Sequence, residues 1–281
     1  MMLSSFVTNK RWDWGFALQI MNQKPVIDGL WKGTIIGTVG AMVIGVSLGI
    51  VIAIMRLSQN PVLKWVAFGY TWFFRAIPRY VLLAILGSGV GYLYNTLQIG
   101  VPFGQQFAHA LGLSSGLTFF SLDINTLSNS IIAGIIGLGL SEAAYMAEIA
   151  RAGILSVDVG QAEAAEALGM SSGKTMRRIV LPQAMRVIVP PTGNEAIAMV
   201  KDTSLLIAIP IIAELFYQTS AIGVRTLRIM PAYVAATLWY LIICSVLMVG
   251  QFYLERHYGR GFGEKKPKNK RFARAAGMGG A

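Results

Sequence analysis

Residues able to do covalent or acid–base chemistry are sparse in this sequence and poorly placed for it. Two histidines, His109 and His257, and one cysteine, Cys244, are scattered over 281 residues. They leave no metal-binding set, no Cys-based zinc site and no internal disulfide. Two segments fit a nucleophile elbow, Gly112-Leu113-Ser114-Ser115-Gly116 and Gly169-Met170-Ser171-Ser172-Gly173. That motif needs a preceding strand and a histidine partner, and neither is evident. Gly173-Lys174-Thr175 ends like a phosphate-binding loop, but the first glycine of that pattern falls on Leu168, Gly169 is one residue too close, and no strand leads in. Nucleotide binding by this chain itself is not expected, nor is catalysis, a cofactor or a metal. The remaining chemistry lies in charged and polar groups embedded in apolar sequence: Arg75 and Arg79, Glu142 and Glu148, Asn194 and Glu195, Lys201 and Asp202. Polar groups inside apolar spans usually face a bundle interior or a solute pathway.

The elements that must position these groups follow from the apolar runs. The chain is 54% hydrophobic and only 13% charged, about half the ~25% charge of a soluble domain. Residues 33–55 hold 23 positions without a charge, and residues 229–254 hold 26. A helix crosses the hydrocarbon core with ~20 such residues, so both stretches span. The first carries Gly33, Gly37, Gly40, Gly45 and Gly49, small residues that let helices approach closely in lipid. Residues 78–97, 129–150 and 187–213 are apolar but interrupted, the last by Pro190, Pro191, Glu195, Lys201, Asp202 and Pro210. The expected fold class is therefore all-α: a polytopic membrane helix bundle of about five transmembrane helices. Residues 95–129 contain no Lys or Arg, residues 151–186 contain five, and residues 256–274 contain eight. The positive-inside rule then puts the last two segments in the cytoplasm, the C-terminus with them, and five spans put the N-terminus outside. Residues 1–13 have no apolar core long enough for a cleavable signal peptide, and residues 1–28, with Trp12, Trp14 and Phe16, read as an interfacial segment. The basic tail of residues 262–281, six cations against one acid, is the densest contribution to the net charge of +11, which fits attraction to anionic lipid headgroups. No aromatic or grooved platform accompanies it, so nucleic acid is not an expected partner.

The loop at 156–182 carries a pattern of its own. Asp158 with Gln161 resembles a capping box that starts a helix. Val159, Ala162, Ala165 and Leu168 fall on one face at helical spacing, and Gly169 is placed to end the helix in a left-handed conformation. Ser171 or Ser172 can cap a second helix through Val180, with Pro182 ending it. The result is a compact helix–turn–helix with short tethers to spans on both sides, which makes docking into a DNA groove difficult.

With Glu163-Ala164-Ala165, Gly169, Ile179, Leu181 and Pro182 in this order and spacing, the loop resembles the EAA loop of membrane-spanning permease subunits of ABC importers. Neighbouring segments resemble the polar amino acid branch of that family. They are Ala144-Tyr145-Met146-Ala147-Glu148-Ile149 with Arg151-Ala152-Gly153-Ile154, then Leu181-Pro182-Gln183-Ala184, Lys201-Asp202-Thr203-Ser204-Leu205, Leu254-Glu255-Arg256 and Arg260-Gly261. The resemblance covers residues 29–261, a permease domain. One departure stands out: the branch has Phe-Arg-Gly-Thr-Pro where this chain has Phe74-Arg75-Ala76-Ile77-Pro78, followed by Arg79 and Tyr80. These two arginines either shape the pathway or sit at the inner interface.

The resemblance implies a multi-pass protein of a prokaryotic cytoplasmic membrane that is not itself an enzyme. It implies as partners a cytoplasmic ABC ATPase dimer, a second permease subunit (identical or homologous), an extracytoplasmic amino-acid-binding protein and membrane lipid. The EAA helix is then the coupling helix, with small Ala164 and Ala165 allowing close approach and Glu163 offering a charge to the ATPase. An amino acid zwitterion needs partners for its carboxylate and ammonium, and the candidates are Glu142, Glu195, Asn194, Arg75 and Arg79. Glu195 follows Pro190-Pro191 and is expected in a broken helix, where freed backbone groups bind polar ligands. The glutamates would favour a basic amino acid, the arginines an acidic or amide one. Two other classes stay open. An ion-gradient-driven carrier or channel would need neither the loop nor an ATPase, and an intramembrane hydrolase would use Ser114 or Ser171.

Overall fold

The computed structural model describes residues 8–100, 118–124, 127, 130–209, 211 and 213–259. Expectations for His109, Ser114, Pro210 and the basic tail from Arg260 onward fall outside these residues. Within them the chain is a helix bundle. Helix α1 (Trp14–Met21) is capped by Asp13, whose Oδ1 accepts from the Phe16 N–H at 3.3 Å. It buries Ala17, Ile20 and Met21. Helix α2 (Lys24–Leu57) runs through residue 28 without a break and includes the first charge-free stretch. Helix α3 (Pro61–Ala76) starts at Asn60, whose side chain accepts from Val62 N at 2.9 Å, with Pro61 in the first turn. Ile77 is extended, as the residue before a proline must be, so α4 (Arg79–Leu93) leaves α3 at 99°.

The expected span over 78–97 is thus shorter at its far end. Tyr94 is extended, and Thr96–Gly100 pairs antiparallel with Thr118–Asp123 as β1 and β2. Helix α5 (Ile131–Leu155) is the centre of the bundle: 61% of its apolar window is buried, against 33% in α2 and 28% in the last helix. Its contact with α2 depends on glycine. A Cβ at Gly45 would lie 2.6 Å from Glu142 Cγ, and one at Gly49 would lie 2.6 Å from Met146 Cβ, so only hydrogen fits there.

Helix α6 (Val159–Ala167) begins at Asp158, whose Oδ1 accepts from Gly160 N at 2.7 Å. The cap is present but the box is not, because the Gln161 side chain turns to Gln183, accepting from its Nε2 at 3.5 Å. Gly169, at φ +75°, ends α6. Met170 N donates to Ala165 O and Gly169 N to Glu166 O, which is a Schellman motif. The second helix does not stop at Pro182. Ser172–Thr175 and the wide turn Met176–Val180 run straight into α7 (Leu181–Asp202), and Pro182 follows directly on that wide turn.

Nor is α7 broken at Pro190-Pro191, which lie inside one continuous helix. The Thr192 hydroxyl donates to Ile188 O, and Gln251 Nε2, from a neighbouring helix, donates to Pro190 O, each at 2.8 Å. Both donors bond carbonyls at or beside the proline pair, one from within α7 and one from a neighbouring helix. The expected span over 187–213 instead starts earlier and ends at Asp202, giving way to the tight 3-10 turn Thr203–Ala208. Helix α8 (Leu215–Thr226) follows, and α9 (Ile229–Tyr258) closes the bundle. Among the described residues α2, α5 and α9 are long and apolar enough to cross a membrane, and the bent pair α3–α4 makes a fourth candidate. Helix α7, with 22 residues, has the length to cross.

Contacts between helix ends fix which ends lie together. Arg56 in the last turn of α2 pairs with Glu148 of α5 at 3.1 Å, and Gln251 of α9 reaches α7 near its middle. The ends of α2, α5 and α9 therefore share a side with the 156–182 loop. At the opposite end Asp13 pairs with Arg228 at 3.0 Å.

Candidate functional site

In the bundle interior α4, α5 and α7 bring four of the embedded charges together. Arg79, in the first turn of α4, donates through Nη2 to Glu142 Oε2 at 3.0 Å and through Nη1 to Asp202 Oδ2. Glu142 is completely buried, while Arg79 and Asp202 keep a little exposure. The Tyr145 ring, one turn further along α5, lies 4.8 Å from the Arg79 guanidinium and 5.6 Å from that of Arg75. Glu195, half-buried on α7, interacts electrostatically with Arg79 and Asp202, but accepts no hydrogen bond among the described residues. Three carboxylates thus surround Arg79, and one of them is unengaged. Asn194, adjacent in sequence, is exposed and about 100° away around the helix.

A second knot lies one layer nearer the loop-bearing end. Glu148 accepts from Arg56 at 3.1 Å and from Arg151 at 3.0 Å. Arg56 also stacks over Phe68, 5.2 Å from the ring centre. Glu148 was singled out by the sequence; Arg56, the last charge of a span, was not.

The loop presents a different chemistry. Glu163 and Ala164 are exposed on α6, and Ala165 is buried beneath them. Of the residues assigned to one apolar face, Val159 and Leu168 are 70% and 83% exposed, so that face is only half covered by the chain itself. Ile179 is half-buried, and Leu181 and Pro182 are exposed at the start of α7. Gly169 is exposed at the turn. Ser171 is also exposed and has no histidine among its described hydrogen-bond partners.

One buried group escaped the sequence reading altogether. Glu214, fully buried, caps α8: its Oε2 accepts from Phe216 N at 2.7 Å and Tyr217 N at 3.1 Å. Its Oε1 accepts from Thr34 at 3.0 Å and Tyr240 at 2.6 Å. Glutamate is an uncommon cap, and Tyr240 lies in a charge-free run with no visible partner, so sequence offered no signal beyond an acid at the start of a helix.

A family model described as the binding-protein-dependent transport system inner membrane component matches residues 45–260. The arginine transport system permease protein ArgU of Corynebacterium glutamicum is 46% identical over 229 residues, which is 81% of this chain and 66% of that relative's own length. A probable amino-acid ABC transporter permease protein, YckA of Bacillus subtilis, is 34% identical over 256 residues, 90% of this chain and 98% of that one. Among solved structures, a chain from the crystal structure of an amino acid ABC transporter with histidines aligns with a TM-score of 0.64 at 30% identity, covering 83% of this chain and 94% of that chain. A chain of the inward-facing MetNI methionine ABC transporter aligns with a TM-score of 0.56 at 18% identity, covering 84% and 97%, a likeness of fold.

Proposed function

Starting from the fact that the chain belongs to the family of inner membrane components of binding-protein-dependent transport systems, we propose that it carries a polar amino acid with a cationic side chain into the cell, driven by a separate ATPase. The single observation that carries the substrate class is the excess of carboxylate around Arg79: Glu142, Asp202 and Glu195 against one guanidinium. Arg79 engages the first two, so the free carboxylate is Glu195, half-buried on the pathway side of α7. The arginine transport name of the 46% identical relative fits the same reading.

The loop-bearing end faces the cytoplasm in this proposal, with the C-terminus on that side. Helix α6 is the coupling element: rigid, anchored into α5 and α7, and with Val159, Leu168 and Glu163 uncovered. An ATPase groove that receives it can push both spans at once. An extracytoplasmic binding protein delivers substrate at the Asp13–Arg228 end, and a second permease subunit completes the pathway. An ion-gradient carrier would leave no reason for the exposed Val159 and Leu168.

Reconstitution of the chain with its ATPase and binding protein in proteoliposomes tests the proposal. ATP-dependent uptake of arginine should exceed that of glutamine and glutamate, and Glu195→Gln should remove that preference. The double substitution Glu163→Lys and Gly169→Trp should abolish co-purification of the ATPase. Uptake driven by an ion gradient and indifferent to the double substitution would overturn the mechanism, while uptake of glutamate in preference to arginine would overturn only the substrate class.

A further inference from the structure

At the loop-bearing end, a cleft of about 470 Å³ opens between α3, the last turn of α2 and α5. Arg56, Phe68, Trp72, Arg75, Tyr145 and Glu148 line it. Its charges do not balance. Glu148 is the one carboxylate in the lining, and both of its oxygens are engaged, Oε1 by Arg56 and Oε2 by Arg151. Arg75 is exposed and has no carboxylate or other hydrogen-bond acceptor among the described residues; its guanidinium lies over the face of Tyr145. A guanidinium has five N–H donors in a fixed fork. Left unpaired beside a second cation, it is suited to an oxyanion that accepts two parallel hydrogen bonds.

The position of the cleft narrows the choice of anion. Helix α3 turns 99° from α4 at the Ile77-Pro78 junction. It buries only Ala67 and Thr71 and exposes Val62, Trp65, Val66, Phe68, Trp72 and Phe73. An outer face this apolar suits contact with lipid, and tryptophan favours the headgroup level. Arg56 lies in the last turn of α2 and Arg75 in the last turn of α3, just before Pro78. Lys64 of α3 adds charge at the same end, the side on which anionic lipids attract basic segments.

We propose that this cleft binds the phosphate group of an anionic phospholipid, with Arg75 taking two phosphate oxygens, Arg56 supplying the adjacent charge, and Trp72 and Phe68 covering the upper acyl chains. Soluble phosphate offers the same oxygens. The rings beside the arginines, 64% exposed at Trp72 and 43% at Phe68, favour the lipid, because soluble phosphate would leave them uncovered. The site rests on the chain being a membrane protein and is independent of which solute it carries.

The test is lipid retention by the purified full chain, measured by native mass spectrometry after exchange into mixed micelles of phosphatidylglycerol and phosphatidylcholine. The wild type should retain phosphatidylglycerol in preference. Arg75→Gln should weaken that retention by roughly tenfold, the scale of one charge-assisted bidentate contact. Arg75→Lys should recover part of it. Arg225→Gln, which removes an exposed cation of α8 outside the cleft, should change nothing, and all variants should elute as the wild type does on size exclusion. Addition of inorganic phosphate separates the sources. If phosphate displaces phosphatidylglycerol from the wild type only at concentrations far above the lipid's, the lipid is the occupant. If phosphate alone protects the protein through Arg75 and no lipid preference exists, the lipid assignment fails. Retention unchanged in Arg75→Gln, or equal for the two lipids without any phosphate effect, overturns the site.

Discussion

Among the described residues two carboxylates are completely buried, and they are kept there by opposite means. Glu142 faces a cation: Arg79 bonds one of its oxygens, while the other has no hydrogen-bond partner among the described residues. Glu214 has no cation on it and four neutral donors instead, two backbone amides and two hydroxyls, spread over both oxygens. Burial of an acid needs a partner in either case. The difference lies in how support is shared. Glu142 depends on one residue that also holds Asp202, so one contact joins α4, α5 and α7. Glu214 joins α2, α8 and α9 through four contacts, any one of which can be lost. The first arrangement suits a pathway whose charges must rearrange around a passing ion; the second suits a fixed corner of the scaffold.

The comparison is broken most severely at Arg79. Arg79→Met leaves Glu142 buried without its cation, which should destabilise the protein by roughly 3–5 kcal/mol. Cys244, the one cysteine of the chain and buried in α9, reports unfolding directly through its reactivity with a thiol-specific dye. The double variant Arg79→Met, Glu142→Met should recover most of the loss, since an apolar pair can replace a buried ion pair at little cost. Recovery of stability without transport would separate the structural from the functional part of the cluster. Failure to recover would mean that Asp202, left alone, carries the penalty.

Glu214→Ala should follow, at about 2–3 kcal/mol by the same assay, because it removes a helix cap and leaves buried donors unpaired. Glu214→Gln keeps an acceptor oxygen and should cost about half as much. If Glu214→Ala proved as damaging as Arg79→Met, the distinction between concentrated and distributed support would fall.

The two acids also differ in how far the sequence announced them. Glu142 stands out because it interrupts an apolar run, and Arg79 because it sits at the start of another; that they meet required the fold. Glu214 follows a short apolar stretch and reads as an ordinary turn acid. The 156–182 loop was legible for a further reason: its cap, its left-handed Gly169 and its two-helix form are local, fixed by neighbours within a few residues. The prolines misled for the converse reason. Pro190 and Pro191 break a helix in isolation, and the packing around them, such as the Gln251 amide on Pro190 O, comes from 61 residues away in sequence. The glycines of α2 predicted close packing but not the partner. With α5 in place, Gly45 proves to be packed against the side chain of Glu142 itself, so Gly45→Ala should cost about 1–3 kcal/mol through overpacking, read as a lower unfolding midpoint. It should also disturb transport more than its stability loss explains, because the displaced atoms belong to the paired acid.

The smallest expected effect is at Tyr240. Tyr240→Phe removes one of the four donors to Glu214 while keeping the ring, so the loss should be about 1 kcal/mol, the net worth of one hydrogen bond. Thr34 shares the same oxygen, Oε1, and this makes the pair informative. If support is distributed, Thr34→Val alone should cost a similar amount, but the double variant should cost more than the sum, because Oε1 is then left without any described partner. The excess measures how far neutral donors substitute for one another around a buried acid. At Glu142 no such substitution exists, and every variant of Arg79 lacking a cation should fall to the same level. A Tyr240→Phe loss as large as that of Arg79→Met would place Glu214 in the concentrated class too, with Tyr240 in the part that Arg79 plays for Glu142.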